Sequence, residues 1–214
     1  MRVYGERTWA ALGLGLVEAF AFLGSGLVPP AVGIAIIAVA FAAVFGAAVR
    51  IVAGDSFAEA WAQVGLRTPV LLALAFVVAV PFAVSVGYVV LVIVAILWLA
   101  LTGFAVPVAM LERDSEAQGW FGRIGYALRR SVVLSRVRYG HAAGVTAALV
   151  LVYLLAGVLL ASLLVGFADN SGGVAAILVQ LVLAPFFYFG LSVLYHDQKA
   201  RLAETPSGQA SPVS

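Results

Sequence analysis

A chain of 214 residues with 64% apolar side chains, 10% charged ones and a mean hydropathy of +1.12 is composed for hydrocarbon rather than water. Membrane spans of about 20 residues each use up most of that length, which leaves no room for a fused soluble catalytic domain. The absence of cysteine excludes disulfides, thiolate metal sites and a cysteine nucleophile, two distant histidines make no metal cluster, and a net charge of +2 on short loops suits an anionic membrane surface rather than nucleic acid.

The first predicted span covers about 9–28, with Glu18 as its only charge and a Gly24-Ser25-Gly26 and Pro29-Pro30 stop. A glutamate in mid-run and the lack of a small-x-small cleavage site argue against a signal peptide. Span two follows at about 30–53 and carries Ala38, Ala42 and Gly46 at four-residue spacing, a strip that lets a neighbouring helix come close.

Residues 56–67 then read as a short amphipathic helix. Ser56 and Glu59 have capping-box spacing, Phe57, Ala60, Trp61 and Val64 share one face, and Thr68-Pro69 is expected to redirect the chain. The uncharged stretch from Thr68 to Leu111 would measure about 65 Å as one helix, twice the hydrocarbon thickness. It is therefore read as a hairpin of spans at about 69–85 and 87–111, its tip near Ser85 to Tyr88.

A second amphipathic helix is predicted at about 115–137. Trp120, Ile124, Ala127, Leu128 and Ser131 form its apolar face; Arg123, Arg129, Arg130 and Arg136 lie opposite. A tryptophan anchor with outward arginines suits a helix lying in the headgroup layer, so these four arginines are the candidate site for anionic lipid headgroups. The alternative is that these arginines only enforce topology and snorkel to the interface. Spans at about 142–167 and 173–195 complete the set, and the polar tail 203–214 is read as disordered.

The fold class expected is thus all-α: a polytopic transmembrane bundle of six spans with two cytoplasmic interfacial helices. With the amino terminus inside, all twelve basic residues fall on the cytoplasmic side or at its boundary, which places both termini in the cytoplasm of a cell with the protein in its plasma membrane. Residues 55–112 and 115–197 repeat one plan, an amphipathic helix followed by two spans.

The segments Glu112-Arg113, Gly125-Tyr126-Ala127-Leu128-Arg129-Arg130-Ser131 and Arg136-Val137-Arg138-Tyr139-Gly140-His141, with Pro185 and the Tyr195-His196-Asp197 close, carry a resemblance. They resemble the superfamily that holds the membrane domain of glycerophosphoryl diester phosphodiesterase and related integral membrane proteins of bacteria and archaea. In those phosphodiesterases the chemistry belongs to a separate soluble barrel, so the resemblance carries no enzyme activity to this chain. It implies that Tyr195 and Asp197 dock the end of span six against the amphipathic helices, and Arg129 or Arg130 is the expected partner of Asp197.

Within the spans, Glu18 is the one deep ionisable side chain, and Thr102 and Gln180 lie at comparable depth. These three form the candidate intramembrane polar site, either in a substrate or proton route or as a neutral acid hydrogen-bonded within the bundle. No phosphate loop, nucleophile elbow or zinc motif is present, and no cofactor is expected. The favoured function is non-enzymatic organisation of membrane, envelope or lipid. The alternative is a small transporter or permease component using Glu18. Membrane lipids are the expected partners, alongside a second copy or other membrane proteins.

Overall fold

The computed structural model describes residues 2–85, 89–112, 119–165 and 171–204, and among these there are helices and no strands. The first pair, α1 (Arg2–Ser25) and α2 (Pro30–Ala53), is an antiparallel hairpin. Pro30 opens α2, where the missing N–H costs nothing, and Gly54 closes it at φ 115°, a left-handed conformation that only glycine adopts freely. Arg50 then clamps the turn, its guanidinium 2.6 Å from the Asp55 carboxylate.

The helix α3 runs without interruption from Phe57 to Ser85. Ser56 and Glu59 cap it reciprocally: the Ser56 amide donates to the Glu59 carboxylate at 3.0 Å, and the Glu59 amide to the Ser56 hydroxyl at 3.4 Å. The short helix expected at 56–67 is therefore the first three turns of span three, and Thr68-Pro69 does not redirect the chain. Two features explain this. Pro69 cannot donate to the Gly65 carbonyl, but the Thr68 hydroxyl reaches that carbonyl at 3.2 Å. In addition Ala60, Val64, Leu71, Leu74 and Val78 make one continuous buried stripe along the helix, packed on α2, where Gly46 admits the side chains of Val64 and Leu71.

Helix α4 (Val89–Thr102) packs back on α3, as the length argument requires; the expected tip, 86–88, lies outside the described residues. After a break at Gly103 and Phe104, α5 (Ala105–Leu111) continues in the same apolar segment. Pro107 has no amide to give to Gly103, and the carbonyls of Ala100 and Leu101 are freed where the helix ends. They are claimed by α6 (Gly119–Val137): Ser131 donates to Leu101 at 2.6 Å and Ser135 to Ala100 at 2.7 Å. Of the apolar face expected to lie on lipid, Ala127 and Ser131 are turned onto protein together with Leu134 and Ser135, Ile124 and Leu128 are half-buried, and Trp120 stays exposed.

The last pair is α7 (Tyr139–Leu164) and α8 (Ser171–Glu204), which runs past the expected end of span six and two residues into the expected tail. The remainder of that tail, 205–214, lies outside the described residues. Helix α2 is the hub of the bundle, touching α1, α3, α5 and α8, and Val44 to Val49 on it are buried all round. By contrast α7 leaves Val152, Leu155, Val158 and Leu159 each about 60% exposed.

Candidate functional site

Two polar constellations sit in this apolar bundle. The deeper one lies between α1, α7 and α8. Glycine at position 15 makes it possible: a Cβ there would meet the Leu181 carbonyl oxygen at 1.9 Å, so only glycine lets α1 seat against α8 at this level. That carbonyl has no helical donor, because residue 185, four positions on, is proline. Gly15 and Pro185 are thus matched across the contact. One turn further along each helix, Glu18 meets Tyr188, whose hydroxyl donates to the Glu18 Oε1 at 2.6 Å.

Glu18 is 3% exposed, and among the described residues Tyr188 is its only hydrogen-bond partner. Both residues line a cavity of about 250 Å³ that also holds Gln180 and Tyr153, where the Tyr153 hydroxyl donates to Gln180 Oε1 at 2.9 Å. The rings of Phe41, Tyr188, Phe187 and Tyr153 follow one another around it at centroid distances of 5.5 to 6.1 Å. The structure therefore brings Glu18 and Gln180 into one cavity and leaves Thr102 out. Thr102 is buried at the end of α4 with its hydroxyl on the Trp98 carbonyl at 2.9 Å.

The second constellation is centred on Glu112, which sequence reasoning treated as an ordinary boundary charge. Its Oε2 accepts from the Tyr126 hydroxyl at 3.0 Å and from Arg130 Nε at 3.2 Å; its Oε1 accepts from the Tyr195 hydroxyl at 3.0 Å and lies 3.4 Å from Lys199 Nζ. One carboxylate, its side chain 9% exposed, so joins the end of α5 to α6 and α8. Burial pushes this carboxyl up, but the Tyr195 hydroxyl, the Arg130 charge, the Tyr126 hydroxyl and the Lys199 charge together outweigh it and hold the group below its ordinary value of 4.5.

Tyr195 itself is fully buried and meets α6 through Glu112. The pairing expected for Asp197 is different in the structure. Arg130 is taken by Glu112, and Asp197 instead accepts from Arg201 at 2.8 Å one turn along α8 and lies 3.6 Å from His141 Nε2. Of the arginines expected to face headgroups, Arg123, Arg129 and Arg136 are exposed on α6, beside Trp120 at 50% and Phe121 at 70% exposure. Among the described residues no cluster of histidines and acids has the geometry of a metal site.

Comparison with protein-family models, curated proteins and solved structures gives no match to this chain. What the fold defines is a class: a protein that is all-helical among the described residues, where six helices are long and apolar enough to cross a membrane.

Proposed function

We propose that this is a multi-pass protein of the cell membrane, both termini cytoplasmic, that admits a small molecule into the cavity at Glu18 and acts as a small transporter or permease component. The exposed apolar surface of α7 supports insertion, because a soluble surface does not carry such a continuous run of bare leucine and valine. One observation carries the functional reading: Glu18 is a carboxylate side chain, 3% exposed, given a single hydroxyl partner and set on the wall of a cavity between helices. An acid placed in hydrocarbon is costly enough that a structural role alone is better served by glutamine or an apolar residue. The experiment is a flux survey of the full chain in proteoliposomes, using neutral, cationic and anionic small solutes. Transport of one class, lost in Glu18→Gln at unchanged insertion, is the expected result; solute-independent silence, or flux indifferent to Glu18, overturns it.

A second reading, organisation of lipid or envelope without transport, is favoured by the exposed Arg123, Arg129 and Arg136 next to Trp120 and Phe121. It predicts that neutralising Arg123, Arg129 and Arg136 removes a preference for anionic over zwitterionic lipid and leaves flux intact. Neither reading calls for an enzyme, and the resemblance to a membrane domain that works apart from its catalytic barrel supports that.

A further inference from the structure

The cavity at Glu18 has a chemical bias. Both phenol protons on its wall point away from any guest: Tyr188 donates to Glu18 and Tyr153 donates to Gln180. The charged and aromatic groups on the wall are accordingly electron-rich, carboxylate oxygen and the rings of Phe41, Tyr153, Phe187 and Tyr188, with the neutral Gln180 amide as the one further polar group among the described lining residues. No lysine, arginine or histidine is among the described lining residues, so none of these neutralises an ionised Glu18.

An inorganic cation fits poorly, since such ions ask for a shell of about six oxygens and this wall is mostly carbon. An organic cation fits on both counts: its charge is met by the carboxylate, and its apolar substituents are met by ring faces that attract cations through their quadrupoles. The cavity, about 250 Å³, has room for a small alkylammonium ion. We infer that the cavity is a binding site for a small organic ammonium ion, with Glu18 as counter-charge and the four rings as its cage. This rests on the reading of the cavity as a small-molecule site and names the chemical class that site selects.

The test is equilibrium dialysis of labelled choline and of its uncharged carbon isostere, 3,3-dimethylbutan-1-ol, against the full chain in a maltoside detergent that carries no ammonium group. Choline is expected to bind at least about tenfold more tightly than the alcohol, a preference that shrinks to within about twofold in Glu18→Gln. Phe187→Leu serves as an independent variant that keeps the acid, and it is expected to weaken choline severalfold while sparing the alcohol. Ala184→Phe, which fills the cavity from α8, should remove both ligands; each variant is first checked for a monodisperse elution profile.

Equal binding of the two probes overturns the ammonium assignment, as does a choline preference that survives in Glu18→Gln. If the probes bind equally and Ala184→Phe expels both, the cavity remains a small-molecule site of another class. If neither binds the unaltered chain, the ammonium assignment falls; the wider cavity reading falls with it only when the flux survey is silent as well.

Discussion

Glu112 shows how much one side chain can organise. Its carboxylate receives two tyrosine hydroxyls and one guanidinium, with an ammonium group close by, and hydrogen bonds to charged groups contribute about 1.5–3 kcal/mol each when their partners are left buried. Glu112→Gln is expected to lower unfolding stability in detergent by about 2 kcal/mol at neutral pH. The pH dependence has a definite sign. Because the folded value lies below 4.5, the contribution is fully present above that pH and is lost as the pH falls through the lower folded value. Melting curves of the two proteins should converge in acid; a gap that stays constant from pH 7 to pH 3 would refute the assignment. Gln198 offers the opposite case, a fully buried amide whose Nε2 and Oε1 have no partner among the described residues. Burying such a group unpaired costs about 1–3 kcal/mol, so Gln198→Met is expected to raise the melting temperature.

At the level of elements, two joints decide how the helices meet. Gly15 holds α1 on α8, and Gly15→Ala should cost about 1–3 kcal/mol, typical of forced overpacking, because the new methyl collides with a backbone oxygen that cannot swing aside. Gly24→Ala, with nothing within 4 Å of the added carbon, is the matched control and should be neutral. The other joint is the break between α4 and α5. Removing both hydroxyls with Ser131→Ala and Ser135→Ala strips donors from the Ala100 and Leu101 carbonyls, a loss of about 1 kcal/mol per site. Faster hydrogen exchange around Gly103 is the measurement that reports it.

These joints also mark where sequence reasoning reached and where it stopped. Glu18 and Gln180 stood out because polar side chains in long apolar runs are conspicuous, and hydropathy with length gave the hairpin of α3 and α4. Tyr188 and Tyr153 were two hydroxyls among several: depth along a helix can be counted, but which helix faces which cannot. Glu112 was marked only within the segments that carry the resemblance and given no role, since an acid at the end of an apolar run is ordinary until side chains of α6 and α8 converge on it. Pro69 misled for a local reason, as the stripe from Ala60 to Val78 had the right spacing but the proline suggested a boundary.

On the scale of the whole molecule, the proposed topology, six crossings with the amino terminus inside, puts both termini on one face and is open to direct test. The chain lacks cysteine, so single cysteines report sidedness without background. Ala203→Cys should react with an impermeant maleimide only from the cytoplasmic side, and Leu27→Cys, 87% exposed between α1 and α2, only from outside. Labelling of both from one side would refute the odd number of crossings, five, that this topology places between Leu27 and Ala203.

The hydrogen bond between Glu18 and Tyr188 spans 170 positions of chain. On the proposed membrane topology the acid is made with the first helix, long before the phenol that accommodates it is translated. On that topology Glu18 is without its Tyr188 partner until α8 has been made. Pairing of the first helix's acid therefore depends on completion of α8.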